Sequence, residues 1–98
     1  MKRVFLVLLI VSLIFSGIGS LYGAETIKVG LITPLTGPIA TFGQSVEKGV
    51  RMAVDEINAK GGVLGMKIEL LVEDNQAKAE ESANIARKFI EQDKVVAI

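Results

Sequence analysis

The residues best placed for chemistry form one short stretch, Thr33-Pro34-Leu35-Thr36-Gly37-Pro38-Ile39-Ala40, followed at once by Thr41 and Phe42. The chemistry they offer is recognition rather than bond making. Pro34 and Pro38 are the only prolines in the chain; each fixes its backbone angle and removes an N–H donor, so the stretch is stiff. A stiff loop leading into a helix start, with an aromatic ring beside free backbone N–H groups, provides an apolar wall next to a seat for a carboxylate. The candidate ligand contacts are Phe42, Thr41 and Pro38. The plain alternative is that Phe42 packs on a sheet and Thr41 only caps the helix.

Other constellations fail. The chain has no histidine, so the usual general base and the commonest metal ligand are both missing. It has no cysteine, which removes disulfides, thiol nucleophiles, Cys-based metal sites and the thiol needed for lipid attachment. The loop lacks the G-x-G-x-x-G dinucleotide pattern, and Gly37 to Gly43 is no P-loop because Gln44 stands where a lysine must reach phosphate. Asp55-Glu56 and Glu80-Glu81 are neighbouring carboxylates, but successive helical residues point about 100° apart and these read as solvated faces. Asp74 ends a strand and is expected to cap the helix that follows. No catalytic group, metal site or cofactor is expected, and the chain does not read as an enzyme.

The loop must be positioned by the elements around it. Ile27 to Ile32 reads as a strand with Ile27, Val29 and Leu31 on one face, and its other face is nearly apolar too, so it is expected to be central. In the next helix Val46, Val50, Ala53, Val54 and Ile57 recur at helical spacing, opposite Glu47, Lys48, Arg51, Asp55 and Lys60. Thr41 and Gln44 fit a capping box at its start, and Gly61-Gly62 ends it. After a turn at Val63-Leu64-Gly65-Met66, Lys67 to Glu73 alternates as a half-exposed edge strand. A second helix is expected from about Ala77 to Gln92, burying Ala79, Ala83, Ala86, Phe89 and Ile90, and Val95-Val96-Ala97-Ile98 starts a third strand.

This β-α-β-α-β order predicts an α/β fold, the opening of a doubly wound parallel sheet with strand order 2-1-3. In such sheets ligands sit outside the carboxyl ends of the strands where the order reverses. Here that crevice lies between strands one and three, bordered by the stretch from Thr33 to Ala40. That loop is eight residues long where such loops usually run about two to six.

Half of the 98 residues are apolar, and many of those lie at the start. Met1-Lys2-Arg3, the apolar run Val4 to Phe15 and the small residues Ser16 to Ser20 have the order of a secretory signal peptide. The run is shorter than the roughly 20 residues of a spanning helix. The mature part is expected to start between Ser20 and Glu25, at Glu25 by the cut after Ala24, giving a leader over residues 1–24. From Glu25 onward nine Lys and Arg face eleven Asp and Glu, a net of −2, with the signs interleaved, so nucleic-acid binding gains no support. Three strands over about 74 residues bury little surface, and the chain is expected to be a piece of a longer product.

Ile27-Lys28-Val29-Gly30, Thr33-Pro34-Leu35-Thr36-Gly37-Pro38, Gly43, the run Asp55-Glu56-Ile57-Asn58-Ala59-Lys60-Gly61-Gly62-Val63-Leu64-Gly65 and then Glu73-Asp74 come in a telling succession. It closely resembles the N-terminal lobe of the branched-chain amino-acid (leucine/isoleucine/valine) binding proteins of ABC importers, which have the type I periplasmic-binding fold. The resemblance covers residues 27 to 98. It implies a secreted, periplasmic or otherwise extracytoplasmic protein, without a lipid anchor, that closes two lobes on a small solute and delivers it to a permease and its ATPase subunits. It also implies an aromatic residue of the first loop against the ligand, at Phe42. The family commonly has tyrosine or tryptophan there, so phenylalanine keeps the apolar contact and loses a hydrogen-bonding group. The family's serine and threonine contacts to the amino-acid carboxylate and ammonium follow strand three, beyond this sequence. The same fold also serves as the ectodomain of membrane sensory receptors, a second reading that predicts a spanning helix downstream. A secreted α/β enzyme is a third reading, and it predicts a nucleophile or an acid-base group at the strand ends.

Overall fold

The computed structural model describes residues 2–4 and 25–98. The expected leader, apart from residues 2–4, lies outside the described residues, among which no helix is long and apolar enough to cross a membrane. Strand β1 is Thr26–Thr33, helix α1 is Ala40–Ala59, strand β2 is Lys67–Asp74 and helix α2 is Ala79–Lys88, continued by a π-helical turn at Phe89–Asp93.

β1 and β2 pair in parallel with both ends level, from Thr26 opposite Lys67 to Thr33 opposite Asp74. Parallel neighbours need a crossover, and α1 supplies it. The sheet contains these two strands. The expected third strand is represented by one parallel bridge, Val29 to Ala97, in which Gly30 N–H donates to Ala97 O at 2.9 Å and Val96 N–H donates to Lys28 O at 2.9 Å.

The core centres on Phe89, whose relative exposure is 0%. Its ring lies directly on Gly30, where an added Cβ would come within 2.5 Å of Phe89 Cδ2. The apolar outer face of β1 therefore needs a residue without a side chain at its middle. Ile85, one turn earlier on α2, is the other buried apolar side chain among the described residues. The expected stripe of α2 holds at Phe89 and is corrected elsewhere. Ala79, Ala83 and Ile90 are exposed, because the face is set by the larger area of Ile85 and Phe89 rather than by alanines. On α1 the expected stripe is only partly covered. Val50 and Val54 are half-buried, while Val46, Ala53 and Ile57 stay exposed above a sheet two strands wide.

α1 ends as its sequence demands. Gly61 and Gly62 have φ of 102° and 80°, conformations that favour glycine, and Gly62 N–H donates to Ile57 O at 2.9 Å. Val63 and Met66 then exchange backbone hydrogen bonds of 2.8 and 2.9 Å around Leu64 and Gly65, with φ of 52° and 77°. The side chain of Asn58, reaching from α1, accepts from Ile68 N–H at 2.7 Å and donates to Ile68 O at 2.9 Å. One amide thus fixes where β2 begins.

Candidate ligand-binding loop

The loop at the carboxyl end of β1 is shorter than its sequence indicates, because β1 runs through Thr33 and α1 begins at Ala40, which leaves residues 34–39. Its entry is tightly seated. Thr33 is 4% exposed and its hydroxyl donates to Gly43 O at 3.4 Å. A Cβ at Gly43 would stand 1.6 Å from Pro34 O, so the first turn of α1 rests on the main chain of the loop. Only glycine permits that approach.

The main brace of the loop comes from the neighbouring strand. Asp74, level with Thr33 at the end of β2, accepts from Leu35 N–H at Oδ1 (2.8 Å), from the Thr36 hydroxyl at Oδ2 (2.6 Å) and from Gln76 N–H at Oδ1 (2.8 Å). These donors hold its pKa down at about 2, the Thr36 hydroxyl contributing most, then the Leu35 and Gln76 N–H groups. The carboxylate is thus an anion throughout the neutral range, bound by dipoles. The expectation that Asp74 caps α2 is corrected. The residue before α2 is Lys78, with no side-chain cap, and the turn into it is organised by Asn75, which accepts from Ala77 N–H at 3.0 Å and donates to Ser82 Oγ at 2.9 Å. Asp74 turns toward the loop because level strand ends put it beside Leu35 and Thr36.

The capping box is corrected as well. Ile39 precedes α1 and no side chain caps it. Thr41 lies inside the first turn, where its carbonyl accepts from Ser45 Oγ at 3.0 Å. Gln44 reaches forward to the loop and donates to Leu35 O at 3.4 Å, instead of returning to Thr41. Ala40 N–H donates to Gly37 O and Phe42 N–H to Ile39 O, while Thr41 N–H has no acceptor among the described residues. That amide is one of the donors that a helix start leaves over.

Phe42 is 75% exposed, and its ring is not packed on β1 or β2. Pro38 and Thr41 are exposed too, so all three candidate contacts share the open corner where the loop meets α1. The arrangement can present an aromatic face and a free N–H on a rigid main chain. Among the described residues no three His, Cys, Asp or Glu side chains gather as metal ligands. Sequence reasoning missed the roles of Asp74 and Asn58, although the first was visible as an acidic residue ending a strand parallel to β1.

A parallel α/β unit that leads with a pinned loop at the carboxyl end of its first strand falls in the class of folds that bind small molecules at strand ends. The chain belongs to the periplasmic binding protein family, whose profile matches residues 26–98. It is 45% identical over 64 residues to a Leu/Ile/Val-binding protein, BraC3, of Rhizobium johnstonii, a match that takes in 65% of this chain and 17% of that protein. It is similar to the branched-chain amino acid transporter substrate binding protein LivJ from Streptococcus pneumoniae, solved with isoleucine, with a TM-score of 0.70 and 39% identity over 72% of this chain and 20% of that one. It is also similar to an ABC transporter solute binding protein from Rhodopseudomonas palustris BisB5, solved with 3,4-dihydroxybenzoic acid. There the TM-score is 0.65 and the identity 33% over 74% of this chain and 20% of that one. The chain thus spans about a fifth of the length of such relatives.

Proposed function

We propose that residues 25–98 form the opening part of the first lobe of an extracytoplasmic solute-binding protein that serves an ABC importer, with residues 1–24 as its secretory leader. The proposed solutes are branched-chain amino acids or related small amino-acid or amide compounds, and the proposed partners are the permease and its ATPase subunits. The observation that carries the reading is Phe42, exposed on the first turn of α1 beside a loop that Asp74 holds in place. The parallel bridge from Val29 to Ala97 supports the strand order 2-1-3, which sets the first loop against the crevice where that order reverses.

The function needs no covalent chemistry. Solute held on one lobe stabilises the closed arrangement by contacts that the open one lacks, and the importer recognises the closed form. Phe42 would cover the aliphatic part of the solute while Pro38 and Thr41 border it.

The test is isothermal titration of the full-length protein with L-leucine, L-isoleucine and L-valine. Binding in the wild type, weakened about tenfold by Phe42→Ala with an unchanged unfolding midpoint, is the expected result. Absence of heat with all three sinks the solute class. Unchanged affinity in the variant removes Phe42 from the site.

A further inference from the structure

We propose that Asp74 is a positioning residue for solute binding: its carboxylate sets the shape of the loop that presents Phe42, and affinity depends on that grip although Asp74 itself does not touch the solute. The inference rests on the site proposed above and goes beyond it by naming a residue on the neighbouring strand.

Prolines stiffen the loop from Pro34 to Ile39, and Gly37 and Ile39 accept backbone bonds from the first turn of α1, but between them Leu35 and Thr36 are held mainly by side chains from outside the loop. Gln44 reaches it with one long bond of 3.4 Å to Leu35 O, and Gly37 sits at φ 89° in open space. The short bonds are those to Asp74, 2.8 Å from Leu35 N–H and 2.6 Å from the Thr36 hydroxyl. Bonds to an ionised acceptor are about twice as strong as neutral ones. Pinning two consecutive loop residues orders the main chain before any solute arrives, and order already present does not have to be imposed on binding.

The charge of Asp74 is directed to this task. Glu73, one residue earlier and on the opposite face of β2, pairs with Lys88 of α2. Asp74 pairs with no cation among the described residues. Its partners are Leu35 and Thr36 of the loop and Gln76 of its own turn. A carboxylate whose only task was to fasten α2 would have no reason to reach across to the β1 loop.

The experiment measures L-isoleucine affinity by titration calorimetry, together with thermal unfolding, for the full-length wild type, Asp74→Asn, Thr36→Val, the double variant and Phe42→Ala. Asp74→Asn is expected to weaken binding about tenfold and Thr36→Val about threefold, with the double variant no weaker than Asp74→Asn alone, because both act through one link. A lower midpoint with unchanged affinity of the folded protein in Asp74→Asn would make the residue structural and overturn the inference. If Phe42→Ala weakens binding while Asp74→Asn does not, the inference fails and the site stands; if neither does, the site itself fails. Should Asp74→Asn not fold, Thr36→Val decides: full affinity there overturns the inference, and the threefold loss upholds it.

Discussion

The two ends of β2 are held by the same device and left in opposite states. At its start the Asn58 amide grips both backbone groups of Ile68, and the turn before it closes on itself through Val63 and Met66. At its end the Asp74 carboxylate grips the main chain of another segment, and the corner beyond keeps the exposed ring of Phe42. One side chain gripping backbone thus finishes a turn at one end and braces an exposed loop at the other. The difference follows from where the partner lies in the chain. Asn58 holds a strand ten residues on, whereas Asp74 holds a loop 39 residues back.

The largest expected effect joins the two regions through α1. Gly43→Val places a branched side chain where even a Cβ would overlap Pro34 O, and the fold should lose about 3 kcal/mol or more. Denaturant unfolding measures it, and an unchanged midpoint would mean that α1 is not seated on the loop. Asn58→Ala leaves two part-buried backbone groups without partners and should cost about 2 kcal/mol, with L-isoleucine affinity unaltered. If that variant weakens binding as much as Phe42→Ala does, the division between a closed end and a braced end collapses. The smallest effect is in acid. The pKa of Asp74 in the fold, about 2, lies below its ordinary 3.8, so its contribution to stability is present above pH 3.8 and is lost as pH falls through about 2. The unfolding midpoint of the wild type should therefore fall more steeply across that window than that of Asp74→Asn. Parallel curves would show that the grip adds nothing to the fold.

The closed end was legible in the sequence because its signals are local. Glycines end α1, a Leu-Gly pair turns, and alternation marks β2, each within a few residues of what it controls. The parallel β-α-β order followed from the same punctuation. The braced end was legible in its members but not in its wiring. Thr41 and Gln44 have the spacing of a capping box, yet α1 starts at Ala40 and Gln44 is drawn to Leu35 O. Asp74 has the position of a helix cap, yet the level strand ends offer it better donors across the sheet. On α2 the expected stripe held at Phe89 and missed Ile85, because a count of apolar positions favoured alanines where volume favoured Ile85, and the π-helical turn at Phe89 ends the regular period.

The grip of Asp74 falls on a main-chain N–H at position 35 and on one hydroxyl at position 36, so the side chain of Leu35 is no part of it. Holding the loop and choosing what it meets are therefore assigned to different atoms. Any side chain but proline at position 35 leaves both donors of that grip in place.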